Sequence, residues 1–256
     1  MTDRTIERLM PWAVTIGFFV VWEICCRLFD LDVFILPAPS DIWREAIKFA
    51  PELAYHSAQT LYTTLAGFGL AVVVGVALGA AIGSSRLVYR GLYPVLIGFN
   101  SIPKVALVPI LVIWFGIGTV PAILTAFVIS FFPIAVNVAT GLATIERDMT
   151  DVLRSLGASR RDILLKVGLP RSMPYLFASL KVAITLSFVG SVIAETVASN
   201  KGIGYLMLSA SSNYNVPLVF AGLLVLALLG VVMYVAAAML EMRTSAWAFR
   251  GSDVVS

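Results

Sequence analysis

The sequence predicts an all-α membrane protein of six transmembrane helices, and three observations carry that prediction. The 256-residue chain is 59% hydrophobic and 13% charged, and its mean hydropathy of +0.94 points to lipid rather than water as the solvent. Ser57 to Ser85, Val105 to Ile145 and Gly202 to Leu240 run for 29, 41 and 39 residues without Asp, Glu, Lys or Arg. A helix crosses the hydrocarbon layer in about 20 residues, so the longest of these runs must fold into two spans. The third observation is the placing of the basic residues, which fixes an orientation.

The spans fall at about 11–29, 60–84, 91–115, 119–143, 177–198 and 217–240, within one transmembrane domain covering 1–256. In the first, Glu23 precedes Arg27 by one helical turn, the favourable order for an ion pair. Arg4 and Arg8 before an apolar stretch suggest a cleaved signal peptide. That reading is rejected because no small-x-small site follows and Glu23 interrupts the apolar core. Cys25 and Cys26 are adjacent inside this span, a spacing that suits packing rather than a disulfide or metal.

Along the second span Gly67, Ala71, Gly75, Gly79 and Gly83 recur every four residues, a stripe that lets another helix approach closely. The third and fourth spans separate at Gly116-Ile117-Gly118-Thr119-Val120-Pro121. Lys104 follows Pro103 in the third span; about 20 Å of rise from Gly91 in an unbroken helix would put it near mid-membrane. The fifth span has Lys181 at its entrance and Glu195 toward its end. Trp114 and Tyr205 stand near outer boundaries, where aromatic rings anchor at the interface.

With the N-terminus inside, thirteen of the 18 basic residues fall on the inner side and three, Arg44, Lys48 and Lys201, on the outer. The excess of Lys and Arg on cytoplasmic loops therefore predicts cytoplasmic N- and C-termini. It also accounts for the net charge of +3 without a nucleic-acid partner. Catalytic signatures are missing: no G-x-x-x-x-G-K-[ST], H-E-x-x-H, C-x-x-C or G-x-S-x-G occurs, and the single histidine, His56, reads as a surface or packing residue in an outer loop. The chain is expected to be a conduit and not an enzyme.

Six of the inner basic residues lie in the loop 144–176, and Lys181 follows just beyond it. Thr150 reads as an N-cap, Asp151 suits the first turn of a short helix carrying Val152, Leu153 and Leu156, and Gly157 ends it. Ser159 with Asp162 forms a capping box for a second helix with Ile163, Leu164 and Val167 as its apolar stripe. Pro170 is expected to end it. An interfacial lipid-bound loop and a helix docking into a soluble partner both fit these features.

The spacing decides between them through a resemblance. Asp151-Val152-Leu153, three residues, Gly157, nine residues, Val167, Gly168 and Leu169-Pro170 resembles the Glu-Ala-Ala loop of permease subunits of bacterial ABC importers, with Asp-Val-Leu in place of Glu-Ala-Ala. Leu36-Pro37-Ala38-Pro39-Ser40-Asp41, Ile102-Pro103, Trp114-Phe115-Gly116-Ile117-Gly118, Phe132-Pro133 and Ala194-Glu195 followed by Gly202-Ile203-Gly204-Tyr205 are similar to segments of the nitrate/sulfonate/taurine permease group. The resemblance implies a type I ABC importer permease fold in the bacterial inner membrane. Asp151, Val152, Leu153, Leu156, Gly157 and Ala158 would form its coupling helix, with Leu169 and Pro170 closing the motif. It implies two copies of a cytoplasmic ATPase that hold the ATP and magnesium, an extracytoplasmic solute-binding protein, and a homodimer of the permease within membrane lipid. The cargo would be a small, anionic organic or inorganic solute of the sulfonate, nitrate, taurine or aromatic carboxylate type, or a pyrimidine-like vitamin precursor.

Polar residues at membrane depth are candidates for the path: Asn100, Ser101, Lys104, Ser130, Asn137, Ser187, Ser191 and Glu195. Lys104 either attracts an anionic substrate or, as the favoured reading, pairs with Glu195 or snorkels to an interface. An ion-coupled secondary carrier using Lys104 and Glu195 as a relay is the rival class, although no inverted repeat is evident.

Overall fold

The computed structural model describes residues 3–83, 85–143, 152–153, 155–163, 166 and 169–249. The helices are α1 (Asp3–Leu28), α2 (Pro39–Lys48), α3 (Ala50–Gly83), α4 (Arg86–Asn100), α5 (Val108–Phe115), α6 (Thr119–Ala143), α7 (Arg160–Ile163), α8 (Leu169–Ala198), α9 (Ile203–Ser212) and α10 (Val216–Phe249), with a 3₁₀ turn at Lys104–Leu107. Five stretches are long and apolar enough to cross a membrane unbroken: Leu9–Leu28, Ala50–Gly83, Thr119–Leu142, Tyr175–Ala198 and Val216–Arg243. A sixth candidate is a bent pair, Leu87–Asn100 and Lys104–Phe115, meeting at 78°.

That bend corrects the expected straight span 91–115. Ser101 and Ile102 close α4 with N–H groups aimed at Ile97, Gly98 and Phe99 carbonyls. Pro103 then supplies no N–H and holds an extended ψ of 98°, so the ladder cannot continue. Two other boundaries move. α3 starts at Ala50, ahead of the span expected from about 60, and α8 starts at Leu169, so Pro170 lies in the first turn of α8 instead of ending a helix before it. A first-turn proline costs nothing there, because its missing N–H would have no intrahelical partner. α2 and α9, expected as outer loop, are helical. α2 has Pro39 in its first turn and buries Ile42 against Leu53, Ile203, Leu218 and Ala221.

The centre of the molecule is α3, α6 and α8 packed together. Half of the α6 span is buried within the chain, against 6% of α1, which lies at the periphery. The small-residue stripe of α3 faces α6, and there is no room for anything larger. A Cβ on Gly67 would stand 2.5 Å from the Ala126 Cβ, on Gly79 2.6 Å from the Ala135 carbonyl oxygen, and on Gly83 2.8 Å from the Ala139 carbonyl oxygen. The facing residues Ala126, Ala135 and Ala139 are fully buried. Small residues on both helices thus bring the backbones together, the packing device available where lipid competes for every apolar contact.

α10 closes the bundle over α8, α9 and α2, and Lys181 on α8 meets Glu241 on α10 at 2.6 Å. α1 is tied on by polar contacts. The expected Glu23–Arg27 pair forms at 3.0 Å, and both residues extend it to α2. Ser40 donates its N–H and hydroxyl to Glu23 at 2.9 and 2.8 Å, while Arg27 reaches Asp41 at 3.2 Å. Cys25 and Cys26 are both free thiols, and Cys26 is buried, its Sγ 3.6 Å from the Leu36 carbonyl oxygen.

Candidate functional site

Three places gather the residues singled out above. The first is the elbow between α6 and α8. Residues 152, 153 and 155 are helical, the Leu156 N–H reaches the Val152 carbonyl at 3.1 Å, and the Ala158 N–H reaches Leu153 at 3.0 Å. Gly157 turns the chain at φ +85°, with nothing within 4 Å of where a Cβ would stand. Ser159 caps α7: the Asp162 N–H donates to the Ser159 Oγ at 3.1 Å and the Ser159 hydroxyl to the Asp162 carboxylate at 2.5 Å. Lys166 closes on the same carboxylate at 2.9 Å. The Ser159 hydroxyl first, and Lys166 second, hold the Asp162 carboxyl below its ordinary range. Val152 and Leu156, four apart, are 58% and 77% exposed, forming an apolar edge beside a cleft of about 270 Å³ lined by Leu153, Gly157, Ala158 and Ile163. Thr150, Asp151, Leu164 and Val167, expected in these two helices, lie outside the described residues. Leu169 and Pro170 open α8.

The second place is a buried polar seam between α3 and α8. Glu195 is 1% exposed. Thr60 donates to its Oε2 at 2.8 Å, Thr63 to its Oε1 at 3.0 Å, and the Gly204 N–H to Oε2 at 3.3 Å. The threonine oxygens are used again: Thr60 Oγ1 accepts the Ile203 N–H at 2.9 Å, and Thr63 Oγ1 accepts the Ser191 hydroxyl. Ser187 donates to the Thr64 carbonyl at 2.9 Å. One turn outward, His56 Nδ1 accepts the Gly202 N–H at 3.0 Å, which fixes the imidazole with its proton on Nε2. His56 therefore sits inside α3 and not in a loop. Gly202 has φ +102°, and a Cβ there would fall 2.1 Å from the Glu195 carboxyl carbon.

Sequence reasoning placed Glu195, Ser187 and Ser191 among path residues. The structure seals all three inside the bundle, where their hydrogen bonds join α3, α8 and the turn into α9. Thr60, Thr63 and His56 were missed, although two threonines one turn apart in an apolar span were a visible signal. Ser130 and Asn137 spend their side chains on their own helix, bonding the carbonyls of Ala126 at 2.7 Å and Pro133 at 2.8 Å.

The third place is the break between α4 and α5. Lys104 Nζ donates to the Asn100 carbonyl at 2.8 Å and to Asn100 Oδ1 at 2.9 Å, and lies 5.1 Å above the Phe132 ring. Lys104 does not pair with Glu195, whose carboxylate is taken by Thr60, Thr63 and Gly204. Asn100, Ser101, Ile102 and Pro103 are exposed on this chain.

The family model for binding-protein-dependent transport system inner membrane components matches residues 71–246. The chain belongs to that family. This permease is 29% identical over 245 residues to the formylaminopyrimidine transport permease of Halalkalibacterium halodurans, covering 95% of this chain and 98% of the relative. It is 33% identical over 233 residues to the riboflavin transport system permease of Chloroflexus aurantiacus, covering 89% and 86%. It is 30% identical over 251 residues to the nitrate import permease of Leptolyngbya laminosa, covering 92% and 89%. Permeases of Escherichia coli named for aliphatic sulfonate and taurine transport also match. An inward-facing structure of the MetNI methionine ABC transporter superposes with a TM-score of 0.64 at 21% identity, over 75% of this permease and 96% of that chain, and so supports the fold. The permease is a binding-protein-dependent transport subunit whose relatives include permeases named for nitrate, sulfonate and taurine, and the ion-coupled carrier weighed from the sequence is set aside.

Proposed function

We propose that two copies of this chain form the membrane path of an ATP-driven importer. Two cytoplasmic ATPase subunits bind beneath them, holding the ATP and magnesium, and a solute-binding protein delivers cargo from the other side. Both termini face the cytoplasm, in keeping with the distribution of basic residues. The observation that carries the reading is the elbow. A four-residue-spaced apolar edge, Val152 and Leu156, stands exposed on a turn held by Gly157 and by the Ser159–Asp162 cap. An exposed apolar edge on a braced turn suits docking into a soluble partner, and bracing is what lets a nucleotide-driven displacement reach the spans.

The cargo is a small solute of the kind named for the relatives. A nitrate-, sulfonate- or taurine-like anion fits Lys104 at the broken span. The formylaminopyrimidine relative, matched over 98% of its length, favours a second reading, a pyrimidine-like vitamin precursor. Thermal-shift screening of the binding protein encoded beside this permease, followed by uptake into proteoliposomes, tests both. Uptake that needs ATP and the binding protein supports the importer; uptake that proceeds without ATP overturns it.

A further inference from the structure

The break between α4 and α5 leaves an ammonium and irregular backbone inside a bent pair apolar enough to enter a membrane, and neither is expected to stand against lipid. Ser101, Ile102 and Pro103 lie outside any regular helix, and all three are exposed on this chain. Non-helical backbone within the hydrocarbon layer is tolerated only where it is buried in protein or lines a water-filled cavity. Lys104 stands at this break, between the two arms of a span bent by 78°. Its partners are an amide oxygen and a carbonyl of Asn100 and the face of Phe132, all uncharged.

Two other cations of the spans meet carboxylates: Arg27 is matched by Glu23 and Asp41, and Lys181 by Glu241. The one carboxylate deep in the neighbouring seam, Glu195, is taken by Thr60, Thr63 and Gly204. Two of the three ammonium donors of Lys104 are used by Asn100, which holds the side chain in place, and among the described residues no carboxylate meets the third donor or the charge. A fixed cation with an unused donor, at a break whose irregular backbone requires water or protein beside it, attracts an oxyanion.

We infer that Lys104, positioned by Asn100 and Phe132 at the break between α4 and α5, is the point in the path that selects a small anion, a carboxylate, sulfonate or nitrate-like oxyanion, as cargo. The inference rests on the importer reading, and its test separates the two. The complete importer, permease with ATPase and binding protein, is reconstituted in proteoliposomes and given labelled ethanesulfonate, nitrate or neutral formylaminopyrimidine. ATP-dependent uptake of an anion is expected, falling about tenfold or more in Lys104→Gln, in line with the loss of a hydrogen bond to a charged group. Lys104→Arg keeps the charge and restores most of it. Size-exclusion chromatography of both variants with the ATPase checks that assembly is intact. Anion uptake by Lys104→Gln equal to wild type overturns the inference, whether lipid or a carboxylate of the second copy then answers the charge. ATP-dependent uptake of the neutral pyrimidine alone also overturns it. Both results leave the importer standing, whereas uptake without ATP removes the importer reading itself.

Discussion

At Glu195 a single side chain holds three donors, so losing it and crowding it have different consequences. Glu195→Ala strands the Thr60 and Thr63 hydroxyls and the Gly204 N–H. Each buried group left unsatisfied costs about 1–3 kcal/mol. Both hydroxyls can fall back on carbonyls already within reach, Thr60 on His56 at 3.1 Å and Thr63 on Thr60 at 3.0 Å. The expected loss is therefore about 2–4 kcal/mol rather than the sum of three orphans, since the cavity left behind adds to the remaining N–H. Gly202→Ala acts from the other side. It places a Cβ 2.1 Å from the Glu195 carboxyl carbon on backbone at φ +102°, where L side chains are strained. A carboxylate held by three donors cannot step aside cheaply, so this one methyl is expected to destabilise at least as much as the truncation. If the two effects share a cause, the double variant Glu195→Ala/Gly202→Ala loses less than the sum of the singles. Unfolding midpoints of the purified permease–ATPase complex measure all three, and strictly additive losses would show that the contact is not what limits Gly202.

Among the elements, the elbow at 152–163 was the most legible, because capping chemistry is local. Ser159, Asp162 and Gly157 do what their spacing announces. The same structure separates conformation from volume as the reason for glycine. Space around Gly157 is open, so a larger residue meets no atom, yet φ +85° excludes a β-branched side chain. Gly157→Val is expected to uncouple ATP hydrolysis from uptake, while Gly157→Asn, which tolerates the left-handed conformation, retains most coupling. Equal defects in both, read as the ratio of solute imported to ATP hydrolysed, would point to size instead. The cap also has a pH signature. Its aspartate has a folded-state pKa below the unfolded value of about 3.9, so its stabilisation is complete above that pH and fades only as pH falls through the lower folded value. Coupling is therefore expected to show no titration of this cap between about pH 6 and 8, and Asp162→Asn to lower it uniformly across that window. A coupling profile that bends there in wild type but not in Asp162→Asn would contradict the assignment.

For the whole molecule, hydropathy located five long apolar helices and the bent pair, because length and apolarity are set by the bilayer whatever the protein does. The glycine stripe of α3 was legible for a related reason: a period of four on one face has few uses other than close packing. What was not legible depended on partners far away in sequence. Nothing local to Glu195 announces Thr60, 135 positions earlier, and nothing in Pro39–Lys48 says that Ile42 has a core to enter until α9 and α10 are placed. The bend at Pro103 was half legible, since the proline was visible but the direction of α5 is set by its packing on α6 and α8. Orientation follows from the distribution of Lys and Arg, and it yields a direct test. Ser211 at the end of α9 and Leu156 at the elbow are both exposed and lie on opposite sides of the proposed membrane. After Cys25 and Cys26 are replaced by Ala, Ser211→Cys is expected to react with an impermeant maleimide on intact spheroplasts, and Leu156→Cys only once the membrane is opened. The reverse order would invert the assembly, leaving the elbow on the side where no ATP is available to drive it.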